Sequence, residues 1–258
     1  MSRRMSLFIL SVAAVGLGAA TGCASSYKGV VKPGVKMSVL SPELESLTDQ
    51  AIETYLKADV RPAFPAVLAV AKLTAPPRYA YYNRNEEPTA ALAVPAGDEA
   101  AGWRKLTATT SNSETPLIEQ VQVVTALLAP GKPSLKSLRD AAAMLHAPLL
   151  LVYMQDDDAQ EGYNDLAMAY WTIVGLFCVP GNAVGHYTVC QAVLVDTRSG
   201  FILATAEGEA KREENVLPGA VGIAWDRVAR QARAEAVAQL QANTLEMLRA
   251  LANSRAAP

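Results

Sequence analysis

The stretch that decides the fold is "PSLKSLRDAAAMLHAPLLLVYMQ", residues 133–155. Ser134 is a residue type that caps helix N-termini, and Leu138, Ala142 and Leu145 recur at spacings that share one helical face. Pro148 cannot continue a helix. The run "LLLVYM" behind it is unbroken by polar residues, as a strand covered on both faces must be. A capped amphipathic helix leading into a buried strand predicts helices packed on a sheet.

Toward the C-terminus, "AYWTIVGLFCV" (169–179), "HYTVCQAVLVD" (186–196) and "FILATAEGE" (201–209) read as further strands. Thr197-Arg198-Ser199-Gly200 joins the last two as a hairpin turn, with Gly200 free to take the left-handed conformation. Residues 219–252 form an Ala-rich helix with Trp225, Val228, Ala232, Leu240, Leu248 and Leu251 along one face. Toward the N-terminus come a strand at 117–127, a helix at 98–106 and a strand in "FPAVLAVAKL" (64–73). Residues 74–97, rich in Pro and Asn and carrying Tyr79, Tyr81 and Tyr82, read as a long loop with one edge strand at most. Ser41 as N-cap, Pro42 at the first helical position and Glu43 in the first turn open a helix that carries Leu44, Leu47, Ile52, Tyr55 and Leu56. The expected fold is α/β (α+β-like): a single mixed-sheet domain over 41–252, with flanking helices, a long C-terminal helix and a disordered tail at 253–258.

The first residues carry an address. Arg3 and Arg4 precede the uncharged apolar run "MSLFILSVAAVGLGAA", and Ala20-Thr21-Gly22-Cys23 follows. A basic start, an apolar middle and a small-residue cleavage site make a secretory signal, here ending in a lipobox-like cysteine. The expectation is a signal peptide at 1–22 and covalent diacylglyceryl and N-acyl lipid on Cys23, with 23–40 as a lipid-anchored tether. Several acyl chains hold a protein firmly to a membrane where one does not. Ala24, in place of the Asp that often retains lipoproteins in the inner membrane, favours the outer membrane with the domain facing the periplasm.

Composition narrows the function. With 51% apolar and 19% charged residues the chain can bury a core, and it has none of the bias of a disordered sequence. Loss of Arg3 and Arg4 leaves the mature chain two charges more acidic than the −2 of the whole sequence, which argues against nucleic-acid binding through a basic surface. Cys178 and Cys190 enter an oxidising compartment, where an even pair invites a disulfide. A hairpin turning at Pro180-Gly181-Asn182 sets them out of register, whereas a wider loop near Val184 would bring them opposite, so both readings stand.

Catalytic signatures are absent: no H-E-x-x-H, no G-x-S-x-G and no phosphate-binding glycine loop. His146 reads as a helix-terminal residue, and His186 begins a strand with no acidic neighbour in sequence. Asp156, Asp157, Asp158, Glu161 and Asp165 form an acidic run that could serve a ligand or metal. The calcium loop wants Gly and Glu where Glu161 and Ala167 stand, so a solvated acidic loop is the expectation. The uncharged stretch from Leu166 to Gly181 reads first as a core strand. Its sharper alternative is a surface patch through Tyr170, Trp171 and Phe177 that meets a membrane or a partner.

At this stretch "YWTIVGLFCVPG" (170–181), with "LRDAAAMLHAPLLLVYMQDD" before it and "AVLVDTRSGFILATAEGEA" after it, resembles the bacterial rhombotarget lipoproteins. These carry a lipobox ahead of an α/β domain with a YWTIVG…VPG element. The resemblance covers residues 64–73 and 134–235 and implies no catalytic residue. Some of those proteins end in a Gly-Gly tail with a hydrophobic helix, cut by a rhomboid-type protease; this sequence ends "RALANSRAAP". The order of elements is also similar, at fold level, to periplasmic domains of the curli-secretion lipoprotein and of lipoprotein activators of cell-wall synthases. The functional expectation is a non-enzymatic accessory protein of envelope assembly or secretion, without cofactor or metal. It would act on an envelope partner or through self-association. The alternatives are a self-assembling pore component using 166–181 and a ligand- or metal-binding protein using Asp156–Asp165.

Overall fold

Apolar runs long enough to bury both faces dictate a sheet with helices on either side, and the computed structural model has that layering. It describes residues 26–33, 48–58, 60, 62–74, 90–111 and 117–256. Within these, the elements are α1 (Asp49–Lys57), β1 (Ala66–Thr74), β2 (Ala91–Ala93), α2 (Gly97–Ser111), β3 (Ile118–Val123), α3 (Leu135–Met144), β4 (Leu149–Tyr163), a 3-10 turn (Asp165–Trp171), α4 (Ile173–Cys178), β5 (Asn182–Asp196), β6 (Ile202–Val216), a second 3-10 turn (Pro218–Ala220) and α5 (Val221–Ala256). Cys23, the start of the first helix at Ser41 and the tyrosines of the Pro-rich loop lie outside the described residues.

The sheet runs β2-β1-β4-β5-β6, and β3 also pairs with β1. One edge of β1 is shared: Ala66–Val70 lies parallel to β3, and Lys72–Thr74 antiparallel to β2. Its other edge is parallel to β4, with Leu68 opposite Leu149 and Thr74 opposite Gln155. The sheet is therefore mixed, as expected.

The chain divides into two compact units. The larger holds the described residues of 30–159, 186–212 and 229–256. Strand alternation sorts its side chains onto two faces. Ala69, Ala71, Leu73, Leu150, Val152, Met154, Val193 and Val195 pack under Leu135, Leu138, Ala141 and Ala142 of α3. On the opposite face Leu68, Val70, Leu149, Leu151, Tyr153 and Leu194 pack under Trp103 and Leu106 of α2 and Ala236, Val237, Leu240 and Leu248 of α5. α2 is fastened from its first turn: Glu99 accepts from Tyr153 Oη at 2.6 Å, pairs with Lys72 Nζ at 2.7 Å and accepts from the Ala96 amide at 3.2 Å.

The decisive stretch folds as its residues require. Ser134 Oγ accepts from the Ser137 amide at 3.1 Å, and Ser137 Oγ accepts from the Ser134 amide at 2.9 Å, a reciprocal cap. At the other end His146 has φ 54°, with its own amide donating to Ala143 and the Ala147 amide to Ala142. This is a left-handed C-terminal closure made by a residue other than glycine. His146 ends the helix as expected, through its backbone. The β5–β6 turn also forms as read: Gly200 has φ 81°, Asp196 Oδ2 accepts from the Ser199 amide at 2.7 Å, and Arg139 holds the Thr197 and Arg198 carbonyls.

The smaller unit comprises the described residues of 26–29, 160–185 and 213–228. Val184, Val216, Ala224 and Val228 form its own apolar cluster, with Trp225 packed against them. The chain departs from the sequence expectation in three places. Residues 169–179 are not a strand; they form the 3-10 turn and α4. The acidic run is not a loop, because β4 continues through Asp156, Asp157, Asp158 and Glu161 to Tyr163. The third departure concerns the tether, whose described residues are bonded to folded structure, as set out below.

Candidate functional site

The apolar stretch after β4 folds into two short helical turns because polar side chains cap both. Asn164 Oδ1 accepts from the Leu166 amide at 2.9 Å, opening the 3-10 turn, while its Nδ2 donates to the Pro180 carbonyl at 2.9 Å and to Asn215 Oδ1 at 3.0 Å. Thr172 Oγ1 accepts from the Gly175 amide at 2.9 Å and opens α4. The two turns approach so closely that a Cβ on Gly175 would come within 1.9 Å of the Ala169 carbonyl oxygen. Only glycine fits there.

This hairpin presents its large side chains outward. Ile173 is 81% exposed, Met168 75%, Phe177 70% and Trp171 63%, and Leu166 and Val174 are exposed beside them. The expectation of a buried core strand is overturned, and the surface-patch alternative describes the segment. Isolated exposed apolar residues are ordinary, whereas these six fall within one short hairpin. Of the three residues singled out, Trp171 and Phe177 face out. Tyr170 is half-buried: its hydroxyl donates to Asn182 Oδ1 at 2.8 Å and its ring meets Tyr163 edge-on at 6.4 Å. Tyr170 supports the patch from below.

Residues just after Cys23 join the same unit. Ser26 bridges to Tyr163, the last residue of β4, and the Tyr27 amide donates to the Tyr163 carbonyl at 2.8 Å. Tyr27 Oη donates to Glu213 at 2.7 Å. In the larger unit the Val31 amide donates to Asp158 at 2.9 Å, and Lys32 pairs with Glu207 and Glu209 at 2.5 and 2.6 Å, which raises its pKa. The described part of the segment read as a tether is strapped down by these bonds.

The acidic run disperses because successive strand residues point to opposite faces. Asp156 accepts from the Asp157 amide, Asp158 from Val31, and Glu161 and Asp165 face outward. Among the described residues no group of three or more His, Cys, Asp or Glu gathers as a metal site would need. Asp157 turns inward to a polar cluster that local sequence does not announce. Thr188 Oγ1 donates to its Oδ1 at 2.6 Å, Arg233 Nε to its Oδ2 at 3.0 Å, and buried His186 Nε2 stands 3.2 Å from Oδ1. Burial pushes the Asp157 pKa up, but His186, Thr188 and Arg233 outweigh it and bring the carboxyl down to about 2. The cluster joins β4, β5 and α5, with His186 buried within it and Arg233 half-exposed at its rim.

Cys178 ends α4 in solvent, while Cys190 is enclosed in the core of β5, where burial pushes its thiol up to about 12. Both are free thiols. The hairpin that would have set them opposite does not exist, because residue 178 belongs to a helix rather than to a partner strand of β5. No described helix is long and apolar enough to cross a membrane, so the pore alternative has no helical span among the described residues.

No family model matches the sequence, and no curated protein matches it. Among solved structures, the chain overlaps a PelC dodecamer from Paraburkholderia phytofirmans with 13% identity and a TM-score of 0.30, over 73% of this chain and 94% of that one. A DUF330 protein from Xanthomonas campestris gives 12% identity and a TM-score of 0.36, over 77% of this chain and 96% of that one. The lipoprotein GNA1162 from Neisseria meningitidis gives 14% identity and a TM-score of 0.31, over 65% and 97% respectively.

Proposed function

We propose that this chain is an envelope lipoprotein, held by acylated Cys23 at the periplasmic face of the outer membrane, and that it works there by contact rather than by turnover. The observation that carries this reading is the capped apolar hairpin at 165–178, which exposes Trp171, Ile173 and Phe177. A fold that merely needed to be stable would bury those side chains, each worth about 1.5–3 kcal/mol when covered. The lipobox-like Ala20–Cys23, the mildly acidic net charge and the likeness of the 170–181 element to rhombotarget lipoproteins support the same address. Its role is that of an accessory in envelope assembly or secretion.

The test is lysine crosslinking in cells, followed by membrane fractionation and affinity mass spectrometry of wild type and Cys23→Ser. Wild type is expected in the outer-membrane fraction with a discrete envelope partner, and both are lost in Cys23→Ser. Unchanged membrane recovery of Cys23→Ser would remove the anchor from the account. A soluble small-molecule adduct in place of a protein partner would point to the ligand-carrier alternative.

A further inference from the structure

We infer that the 165–178 hairpin dips into the lipid leaflet that holds the anchor, so that Trp171, Ile173 and Phe177 are covered by lipid and not by another protein. The inference rests on Cys23 being the lipid-bearing residue. Ser26 stands three steps along the chain from Cys23, a reach of about 11 Å at most. Ser26 and Tyr27 are bonded to Tyr163, and the 3-10 turn opens two residues later at Asp165. The chain itself therefore ties the acylated end close to the base of the exposed hairpin.

The hairpin's own chemistry suits that medium. Hydrocarbon offers no hydrogen bonds, so any backbone entering it must satisfy its polar groups internally. Here Thr172 N–H donates to Ala169, Leu176 N–H to Thr172, Val179 N–H to Gly175, and the Gly175 amide to the Thr172 hydroxyl. No charged side chain occurs from Leu166 through Gly181. Trp171 is the residue type that settles at the membrane–water boundary. The hairpin is too short to span, so it enters one leaflet only, as interfacial helices do, by roughly 5–10 Å.

The experiment uses the mature lipidated protein in vesicles of phosphatidylethanolamine and phosphatidylglycerol, with part of the lipid brominated on the upper acyl chain. Emission from Trp171 is isolated by difference against Trp171→Phe. The expected result is a roughly two-fold or greater drop in Trp171 emission with brominated lipid and little quenching by aqueous iodide, as for a ring seated at the headgroup–acyl boundary. Quenching by iodide but not by brominated lipid, in protein that floats with the vesicles, would overturn the inference while leaving the anchor standing. Protection from both quenchers would overturn it in favour of a second copy or a protein partner over the patch. Wild-type protein that failed to float would overturn the anchor and the inference together.

Discussion

Asp157 shows how much of this protein's chemistry is fixed by partners remote in sequence. His186 and Thr188 come from β5 and Arg233 from α5, and together they hold the carboxyl at about 2, below the ordinary 3.8. A carboxylate depressed in the folded state adds stability that is complete above the unfolded pKa and lost as pH falls through the folded one. Here that window runs from about pH 4 down to about pH 2, and the contribution is about 2 kcal/mol. Asp157→Asn is expected to lower the urea midpoint at pH 6 and to bring wild type and variant together as pH approaches 2. A gap that stayed constant across that range would show that the cluster packs α5 without electrostatic help. His186 reads as isolated in the sequence because strand pairing, not spacing, supplies its carboxylate. Trp171 and Phe177 were legible as contact candidates because large apolar residues in an uncharged run must be either covered or used. Tyr170 was not distinguishable from them, since its hydroxyl partner, Asn182, lies beyond the hairpin.

Elements buried on both faces were the most legible. β1 and the first half of β4 are near-continuous apolar runs because α3 covers one face of the sheet and α2 and α5 the other. Beyond Met154 the same strand carries charge and continues to Tyr163, which an apolar pattern cannot reveal. The 169–179 segment misleads for the opposite reason. Its β-branched and aromatic residues favour strands, yet Asn164 and Thr172 cap helical turns and Gly175 permits their close approach. Gly175→Ala tests this. A methyl group pressed against the Ala169 carbonyl must open the hairpin, at about 1–3 kcal/mol. The Thr172 and Leu176 amides, bonded inside the hairpin, are expected to exchange hydrogen roughly ten- to a hundred-fold faster, while the sheet amides do not change. Equal exchange in variant and wild type would mean the hairpin is not held by that contact.

At the scale of the whole molecule, the layered core and the exposed apolar hairpin occupy different parts of the chain. The sheet, α2, α3 and α5 bury the large apolar core, and their polar clusters are closed by internal partners. The smaller unit takes in both residues 26–29, which follow Cys23, and the apolar hairpin. Residues 26–33 run as a strap rather than a free leash, through Tyr27, Val31 and Lys32. Sequence composition could not separate these cases, because a Ser-, Gly- and Lys-containing strand edge and a flexible linker look alike. In this account the anchor and the hairpin act as one membrane attachment, and the remaining surface is free to meet envelope partners.

The most direct test places a photoreactive phenylalanine analogue at Phe177 and irradiates cells that make the full chain. Phospholipid adducts are expected at that position, identified by mass spectrometry of the 165–178 peptide. An adduct to protein alone, whether a second copy or another chain, would contradict lipid insertion.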